Sequence, residues 1–297
     1  MPPNPYRLRA RAIIGTVLVV VLGVAAYGVY TGFKHVTAAA PPAPGCQAGT
    51  GTQAITLDTG QAAIAATIAG VAARHKLPAE AVTIAYAAAL QESQLQDLTY
   101  GDRDSVGIFQ QRPSQGWGTT SELEDPVYAT TKFFQALVQV HDYKTMPVEV
   151  AAQAVQHSAD GTAYAQWTQV ASQLAGYFTG KDPHGVSCWY VPAGQANLSG
   201  VEQQITQTFG PQGHKAVVLR FSTARSAQKS SEAVVQVRQS SAWTVAGWLV
   251  AYAQTYGLTE VRYAGYEWEA ADGSMGWQHV SGTSANTSPP RGSIVAG

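Results

Sequence analysis

The chain has 297 residues, of which 45% are hydrophobic and only 12% are charged, and its formal net charge is −1. This composition supplies enough apolar side chains for a sizeable core, and it excludes a long charged coiled coil and a disordered polyelectrolyte. The near-neutral charge leaves no basic footprint for nucleic acid, and two cysteines are too few for a cysteine-rich metal site.

An uncharged apolar stretch covers residues 12–33. A helix of this length measures about 33 Å, which is enough to cross the hydrocarbon core of a membrane. Three arginines precede it in residues 1–11, so the positive-inside rule predicts a cytoplasmic N-terminus and an extracytoplasmic location for everything after residue 33. A cleaved signal peptide ending near 38–40 is the alternative. The stretch is longer than a usual signal-peptide apolar region, which favours an uncleaved single-pass anchor.

The next part of the chain is predicted to be a short linker followed by a helical domain. Residues 34–54 are rich in Ala, Pro, Gly and Thr, which is typical of a spacer. Residues 55–180 predict a mainly α domain with one polar loop at 96–120. Its five expected helices cover 61–75, 79–95, 126–140, 147–157 and 162–178. Asp125 followed by proline is typical of a helix N-terminus, so Asp125 should cap the third of these helices.

The C-terminal part is predicted to be a second linker, a small α+β domain and a tail. The linker covers 181–200 and the domain 201–280. Helices are expected at 201–209 and 242–256, and strands at 216–221, 233–237, 261–268 and 276–280. Residues 281–297 are rich in Ser, Thr, Gly and Pro and predict a flexible tail.

Cys46 and Cys188 are the two cysteines, and they bracket the predicted helical domain. An extracytoplasmic location permits disulfides. We therefore expect a Cys46–Cys188 bridge, with two free thiols as the alternative.

The sharpest chemical signal is Glu92, near the end of the predicted helix 79–95. Helical periodicity places it on the same face as Ala81, Ala85 and Ala88, a stripe of small residues typical of a core-facing surface. Burial there would raise the pKa of the carboxyl, which suits a general acid. The alternative is that Glu92 lies at the helix end and reaches water.

A polar loop follows this helix and contains Gly101 and the sequence Gly-Ile-Phe-Gln at 107–110. The glycines allow backbone conformations that other residues avoid, so the loop can fold back towards Glu92. Amide and aromatic groups brought there would suit a sugar, because amides bind hydroxyl groups and aromatic rings pack on pyranose faces. Trp117, between two glycines, is either such a ring or a loop anchor.

Three segments resemble the soluble-lytic-transglycosylase and goose-type lysozyme superfamily, in particular a lysozyme-like variant of actinobacterial cell-envelope proteins. Glu92-Ser93 resembles the catalytic Glu-Ser, residues 107–110 resemble Gly-Leu-Met-Gln at about the same distance, and residues 163–167 (AYAQW) resemble the later motif that carries a tyrosine. The resemblance covers about 55–180. The Ala-Tyr-Asn-Ala-Gly segment of the superfamily is replaced by residues 154–158 (AVQHS).

This resemblance implies a lysozyme-like fold that binds peptidoglycan glycan strands without a metal or cofactor. It implies that Glu92 is the catalytic acid and base for the bond between N-acetylmuramic acid and N-acetylglucosamine. It also implies that the substrate-binding residues are Ser93, Gly107, Phe109, Gln110 and Tyr164.

The type of product depends on the number of carboxylates. A lytic transglycosylase needs one, since the 6-hydroxyl of the sugar is the nucleophile, whereas a hydrolase needs a second. Asp102 and Asp104 are candidates for that second carboxylate; the alternative for both is loop capping and pairing with Arg103. The sequence favours a lytic transglycosylase, with a muramidase or a catalytically degenerate glycan-binding scaffold of an envelope-spanning machine as alternatives.

Other patterns carry less weight. Ser226 and Lys229 match the Ser-x-x-Lys of penicillin-binding enzymes but lack the partner motifs. The seven histidines show no metal-ligand spacing. The aromatic residues of 243–277 are expected in a core, with a glycan-binding or protein-binding face as the alternative, so residues 201–280 are the candidate region for a protein partner.

Overall fold

The computed structural model describes residues 42–157, 161–211, 220–225, 231–280 and 292–297. The chain divides into two units, 1–42 and 43–297, and the second forms one compact body. None of the helices in the described ranges combines the length and the apolar character needed to cross a membrane. The predicted span at 12–33 lies outside the described residues, as do Ser226 and Lys229.

The compact unit begins with two short strands and two long helices: β1 (Gly45–Ala48), β2 (Ile55–Leu57), α1 (Thr59–Arg74) and α2 (Ala79–Ser93). A capping box starts α1, because the Asp58 side chain accepts a hydrogen bond from the Gln61 backbone N–H and the Gln61 side chain accepts one from the Asp58 N–H. Pro78 immediately precedes α2 as its N-cap residue.

Four more helices complete the helical part, with a 3₁₀ segment before the last: α3 (Thr120–Leu123), α4 (Pro126–Leu137), α5 (Val148–Gln156), Gly161–Trp167 and α6 (Thr168–Phe178). The predicted cap is confirmed, because the Asp125 carboxylate accepts a hydrogen bond of 2.8 Å from the Val127 N–H. The short α3 was not expected. It begins with a second capping box, formed by Thr119 and Glu122.

The remaining elements alternate between helices and strands: β3 (Val186–Trp189), α7 (Leu198–Phe209), β4 (Arg220–Arg225), β5 (Ser231–Gln236), α8 (Ala242–Ala251), α9 (Ala253–Tyr256), β6 (Glu260–Tyr263), β7 (Tyr266–Glu269), β8 (Gln278–His279) and β9 (Ser293–Ala296). The single strand predicted at 261–268 is a hairpin. Its turn contains Ala264 and Gly265, both with positive φ. A helical part followed by a smaller α+β part agrees with the predicted mixture of elements.

A three-stranded antiparallel sheet, β2-β1-β3, joins the two predicted linkers. Cys46 on β1 lies opposite Cys188 on β3, and the two form the predicted disulfide. The spacer-like composition of 34–54 and 181–200 thus did not predict strands β1 and β3. Their pairing depends on partners about 140 residues apart rather than on local sequence.

The second sheet has six antiparallel strands in the order β4-β5-β9-β6-β7-β8. Strand β9 comes from the segment 281–297, which the composition predicted as a flexible tail, and that prediction is wrong for residues 293–296. All four residues of β9 are buried, because the strand pairs with β5 on one side and β6 on the other. Residues 281–291 lie outside the described part.

One continuous apolar core connects the helical part with the α+β part. Helix α1 packs against α4 and also against α7 and α8. Gly70 allows close contact between α1 and α7, since a Cβ there would lie 2.5 Å from Thr208 Cγ2. Of the aromatic residues in 243–277, Trp248 and Trp268 are fully buried and Trp243 and Trp277 partly so, which places them mainly in the core.

Candidate active site around Glu92

Glu92 lies in the last turn of α2, at the end of a helix whose residues 81–90 are all buried. Alanines make up much of that stretch, so neighbouring helices approach closely and the helix reaches the surface only in its first and last turns. The helix ends where Gln94 adopts a left-handed conformation. The Glu92 side chain is therefore half-buried, between the core and the solvent.

Tyr164 is the nearest chemical partner of Glu92. It lies in the 3₁₀ segment Gly161–Trp167, and its fully buried side chain donates a hydrogen bond of 2.6 Å from Oη to Glu92 Oε1. The contact joins residues 72 positions apart in the sequence. It brings together two of the residues singled out by the sequence patterns.

Gln91 anchors the segment that carries Tyr164. Its Oε1 accepts hydrogen bonds of 2.9 Å from Trp167 Nε1 and 3.1 Å from Gln166 Nε2. The sequence analysis missed this role. The sequence signal for this role was the position of Gln91 beside Glu92, together with two side chains at the end of AYAQW that can donate hydrogen bonds.

Burial of the carboxyl raises the pKa of Glu92, and this effect outweighs opposing hydrogen bonds from Tyr164 and Gln156. Gln156 was also missed. It lies in the segment 154–158, which replaces a motif of the resembling superfamily, and its Nε2 donates a hydrogen bond of 2.7 Å to the backbone oxygen of Phe109. Gln156 therefore connects α5 to the loop beside Glu92.

Ser93 fastens the Gly-Ile-Phe-Gln loop to α2. Its buried Oγ donates to the backbone oxygen of Ile108 at 2.8 Å and lies 3.1 Å from that of Ala89. Its hydroxyl is thus engaged within the protein, which indicates a positioning role rather than the predicted contact with substrate.

Gly107 and Gln110 shape the same loop. Gly107 has φ +77°, and a Cβ there would lie 2.1 Å from the backbone oxygen of Leu123, so only glycine fits. Gln110 is half-exposed with φ 47°, and its Nε2 donates to the backbone oxygens of Gly107 at 3.2 Å and Tyr100 at 3.3 Å.

Phe109 differs from its predicted role. Its side chain is fully buried and stacks on Phe133 with ring centroids 4.4 Å apart, so it cannot pack on a sugar. The sequence pattern does not reveal this, because the orientation of a loop side chain depends on a distant helix. Trp117 is partly buried and packs against the core, consistent with a loop anchor.

Of the two candidates for a second carboxylate, Asp104 is engaged within the loop and Asp102 is exposed to solvent. Asp104 accepts hydrogen bonds of 2.8 Å from Arg112 Nε and from the Ser114 N–H, and these hold the pKa of its carboxyl well below the ordinary value. Asp102 extends into solvent, with 90% of its side chain exposed, 3.9 Å from Arg103. Asp102 thus lies within ion-pair distance of Arg103, as the alternative expected, whereas Asp104 caps the loop and pairs with Arg112 instead.

A further acidic group near the loop was not predicted. Burial, followed by the charges of Glu124 and Asp125, raises the pKa of Asp97 to about 6. Asp97 Oδ1 lies 3.7 Å from where a Cβ on Gly107 would be. It retains access to solvent.

Within the described ranges, no group of three or more His, Cys, Asp or Glu side chains could hold a metal ion. Comparison with models of protein families and with curated protein sequences finds no match to this chain.

Proposed function

We propose that this protein is a peptidoglycan lytic transglycosylase that uses Glu92 as its general acid and base. The observation that carries the proposal is a half-buried carboxyl with a raised pKa that accepts a hydrogen bond from Tyr164. A carboxylic acid that keeps its proton towards neutral pH is what a glycosidic leaving oxygen requires.

In this mechanism, Glu92 first donates its proton to the oxygen between N-acetylmuramic acid and N-acetylglucosamine, and the glycosidic bond breaks. The resulting Glu92 carboxylate then accepts the proton of the 6-hydroxyl of the same muramic acid. That oxygen attacks the anomeric carbon and closes a 1,6-anhydro ring. Glu92 is then protonated again, as it was before the reaction. Tyr164 stabilises the intermediate carboxylate through its hydrogen bond.

The engagement of Asp104 by Arg112 and Ser114 favours this route over hydrolysis. A hydrolase needs a second carboxylate roughly 5–10 Å from the acid, either to activate water or to act as a nucleophile. Asp104 is held by Arg112 and Ser114, and Asp102 extends into solvent. The internal nucleophile of the transglycosylase reaction removes the need for either.

We place the enzyme on the outer side of a cell membrane, anchored through residues 12–33. The Cys46–Cys188 disulfide supports an oxidising compartment outside the cytoplasm. In that position the enzyme would open the wall locally, for remodelling or for passage of an envelope-spanning machine, and residues 201–280 are available for a protein partner.

The test is digestion of purified sacculi by the full-length protein in mild detergent, with the products analysed by mass spectrometry. We expect fragments with 1,6-anhydro ends. Glu92→Gln should reduce their release by at least about a hundredfold, because the amide cannot donate the proton. Asp102→Asn is the matched control, since it also removes one carboxylate near the loop, and should retain activity.

Three results would contradict the proposal. Fragments with reducing ends would indicate a muramidase. Release that persists in Glu92→Gln would exclude Glu92 as the acid. Binding to sacculi without any release would indicate a glycan-binding scaffold.

A further inference from the structure

A cavity of about 460 Å³ opens at the N-terminal end of α2, where it is lined by that helix, by the segment leading into α5 and by α6. It contains Glu80 from the first turn of α2, whereas Glu92 lies in the last turn. Twelve residues of helix separate them by about 18 Å. The cavity is therefore distinct from the candidate active site.

Four charged side chains line this cavity: the carboxylates Glu80 and Asp182 and the ammonium groups Lys144 and Lys181. In the part of the chain that the structure describes, none of the four takes part in a salt bridge. Charges of both signs that do not pair with each other remain available to a ligand. A ligand that pairs with both kinds carries a cationic and an anionic group, and an ammonium group with a carboxylate is one such combination.

The position of Asp182 is built into the fold. Its backbone N–H donates a hydrogen bond of 3.0 Å to the backbone oxygen of Gly176 on α6. A Cβ on Gly176 would lie 2.3 Å from Asp182 Oδ2, so the absence of a side chain there makes room for the carboxylate. This arrangement fixes a negative charge at the wall of the cavity.

The lining also contains apolar and hydroxyl groups. Ile84, Met146 and Val148 provide an aliphatic surface. Thr168 Oγ1 is buried and has no hydrogen-bond partner among the described residues. Because this oxygen is closed to solvent, the aliphatic groups are the contribution of this part of the lining to ligand binding.

We propose that this cavity binds the short peptide of the same wall polymer whose glycan is cleaved at Glu92, a proposal that rests on the proposed function. Such a peptide combines methyl and methylene groups with the carboxylate of D-glutamate and the ammonium group of a diamino acid. Lys144 and Lys181 bind its carboxylates, Glu80 and Asp182 bind its ammonium group, and the aliphatic lining packs against its methyl and methylene groups. The cavity holds the peptide while the attached glycan reaches the other end of α2.

The test is isothermal titration calorimetry of the full-length protein with a synthetic tetrapeptide, alanyl-γ-D-glutamyl-diaminopimelyl-D-alanine. We expect saturable binding that weakens by about tenfold or more in Lys181→Gln and in Glu80→Gln, since each loses one charge-assisted contact. Lys76→Gln and Glu269→Gln are the matched controls, because they remove the same charges from exposed positions outside this cavity. Circular dichroism verifies that each variant is folded.

The proposal is overturned if the tetrapeptide does not bind saturably, if neither cavity variant weakens binding, or if a peptide with blocked amines and amidated carboxylates binds equally well. Tetrapeptide binding to the Glu92→Gln variant distinguishes the cavity from the site at Glu92. Undiminished binding of the tetrapeptide to this variant supports the cavity, and loss of binding places the peptide at Glu92 and contradicts it. Peptide binding by a protein that releases nothing from sacculi would count against the proposed function alone.

Discussion

Two opposing influences act on the Glu92 carboxyl. Burial at the end of α2 favours the neutral acid, while hydrogen bonds from Tyr164 and Gln156 favour the charged carboxylate, and burial has the larger effect. A carboxyl group balanced in this way can donate a proton and is then stable as a carboxylate. The pKa of Glu92 should therefore change when a single hydroxyl is removed.

We expect Tyr164→Phe to raise the pKa of Glu92 further. The hydroxyl donates to the carboxylate and stabilises its charged form, so its removal leaves burial less opposed. The measurement is a pH titration of ¹³C-labelled glutamate carboxyls by NMR, and the high-pH limb of lytic activity should move upwards with it. Tyr128→Phe, which removes a hydroxyl that contacts Trp117 instead, should leave the titration unchanged. A lowered or unaltered pKa in Tyr164→Phe would contradict this view.

At this scale the sequence singled out Glu92 and Tyr164, which the structure brings into contact, but it did not predict the orientation of the loop side chains. Glu92 could be placed from helical periodicity, and Tyr164 from the similarity of residues 163–167 to a known motif. The buried stacking of Phe109 and the anchoring by Gln91 depend on contacts with Phe133 and Trp167, which come from distant parts of the chain. Local patterns contain no information on such contacts.

Among the structural elements, the loop between α2 and α4 is under close steric constraint. Gly107 lies against the backbone of Leu123, at the end of α3, and its N–H donates to the backbone oxygen of Leu98 at 2.6 Å. Ser93 fastens the following residue to α2. The loop is thus held from both sides at the point where it passes Glu92.

Gly107→Ala should destabilise the protein by at least about 2 kcal/mol more than Gly116→Ala. Both glycines have positive φ, +77° and +81°, so alanine costs about 1 kcal/mol in backbone strain at either position. At Gly107 the added Cβ would also lie 2.1 Å from a backbone oxygen, whereas at Gly116 nothing lies within 4 Å. Urea unfolding of the two variants checks this difference. Equal losses of stability would show that the loop shifts to accommodate the added Cβ without a further loss of unfolding free energy.

Helices could be predicted more completely than strands. The Asp125-Pro126 cap and the apolar periodicity of α1 and α2 are local signals, and the corresponding helices occur within a few residues of their expected bounds. Strands β1, β3 and β9 acquire their structure from partners far along the chain. The segments around these strands are rich in small and polar residues, and their composition resembles that of linkers.

Strand β9 provides a second test of packing. We expect Ile294→Ala to cost about 2–4 kcal/mol of unfolding free energy, because Ile294 is fully buried opposite Val235. Val280→Ala, at a position that is 40% exposed, should change it by less than about 0.5 kcal/mol. Thermal unfolding followed by circular dichroism measures both. A neutral Ile294→Ala would mean that the strand contributes little to the sheet.

Across the whole molecule, the helical part and the α+β part are joined by more than the chain connection. Helix α1 packs on elements of both parts. Strand β3 also links them, because Trp268 Nε1 donates to the backbone oxygen of Cys188 and Trp277 Nε1 to that of Val186. A perturbation at β1 and β3 should therefore change the stability of the whole compact unit.

The double variant Cys46→Ser/Cys188→Ser should lose about 2–4 kcal/mol of stability while keeping one cooperative unfolding transition. The disulfide restricts the unfolded chain by closing a segment with a sequence separation of 142. Urea unfolding monitored by tryptophan fluorescence and by circular dichroism gives both the free energy and the number of transitions. The oxidised wild-type protein is the reference, and reductant should bring it to the level of the variant. Two separate transitions, or an unchanged midpoint, would disagree with this account.

The Cys46–Cys188 bond has a consequence for proteolysis. Most of the helical part, with Glu92 and Tyr164, lies on a covalently closed ring of backbone. A single cut anywhere on that ring opens it without releasing either fragment. The nicked molecule keeps its mass on a non-reducing gel and separates into two pieces only after a thiol is added.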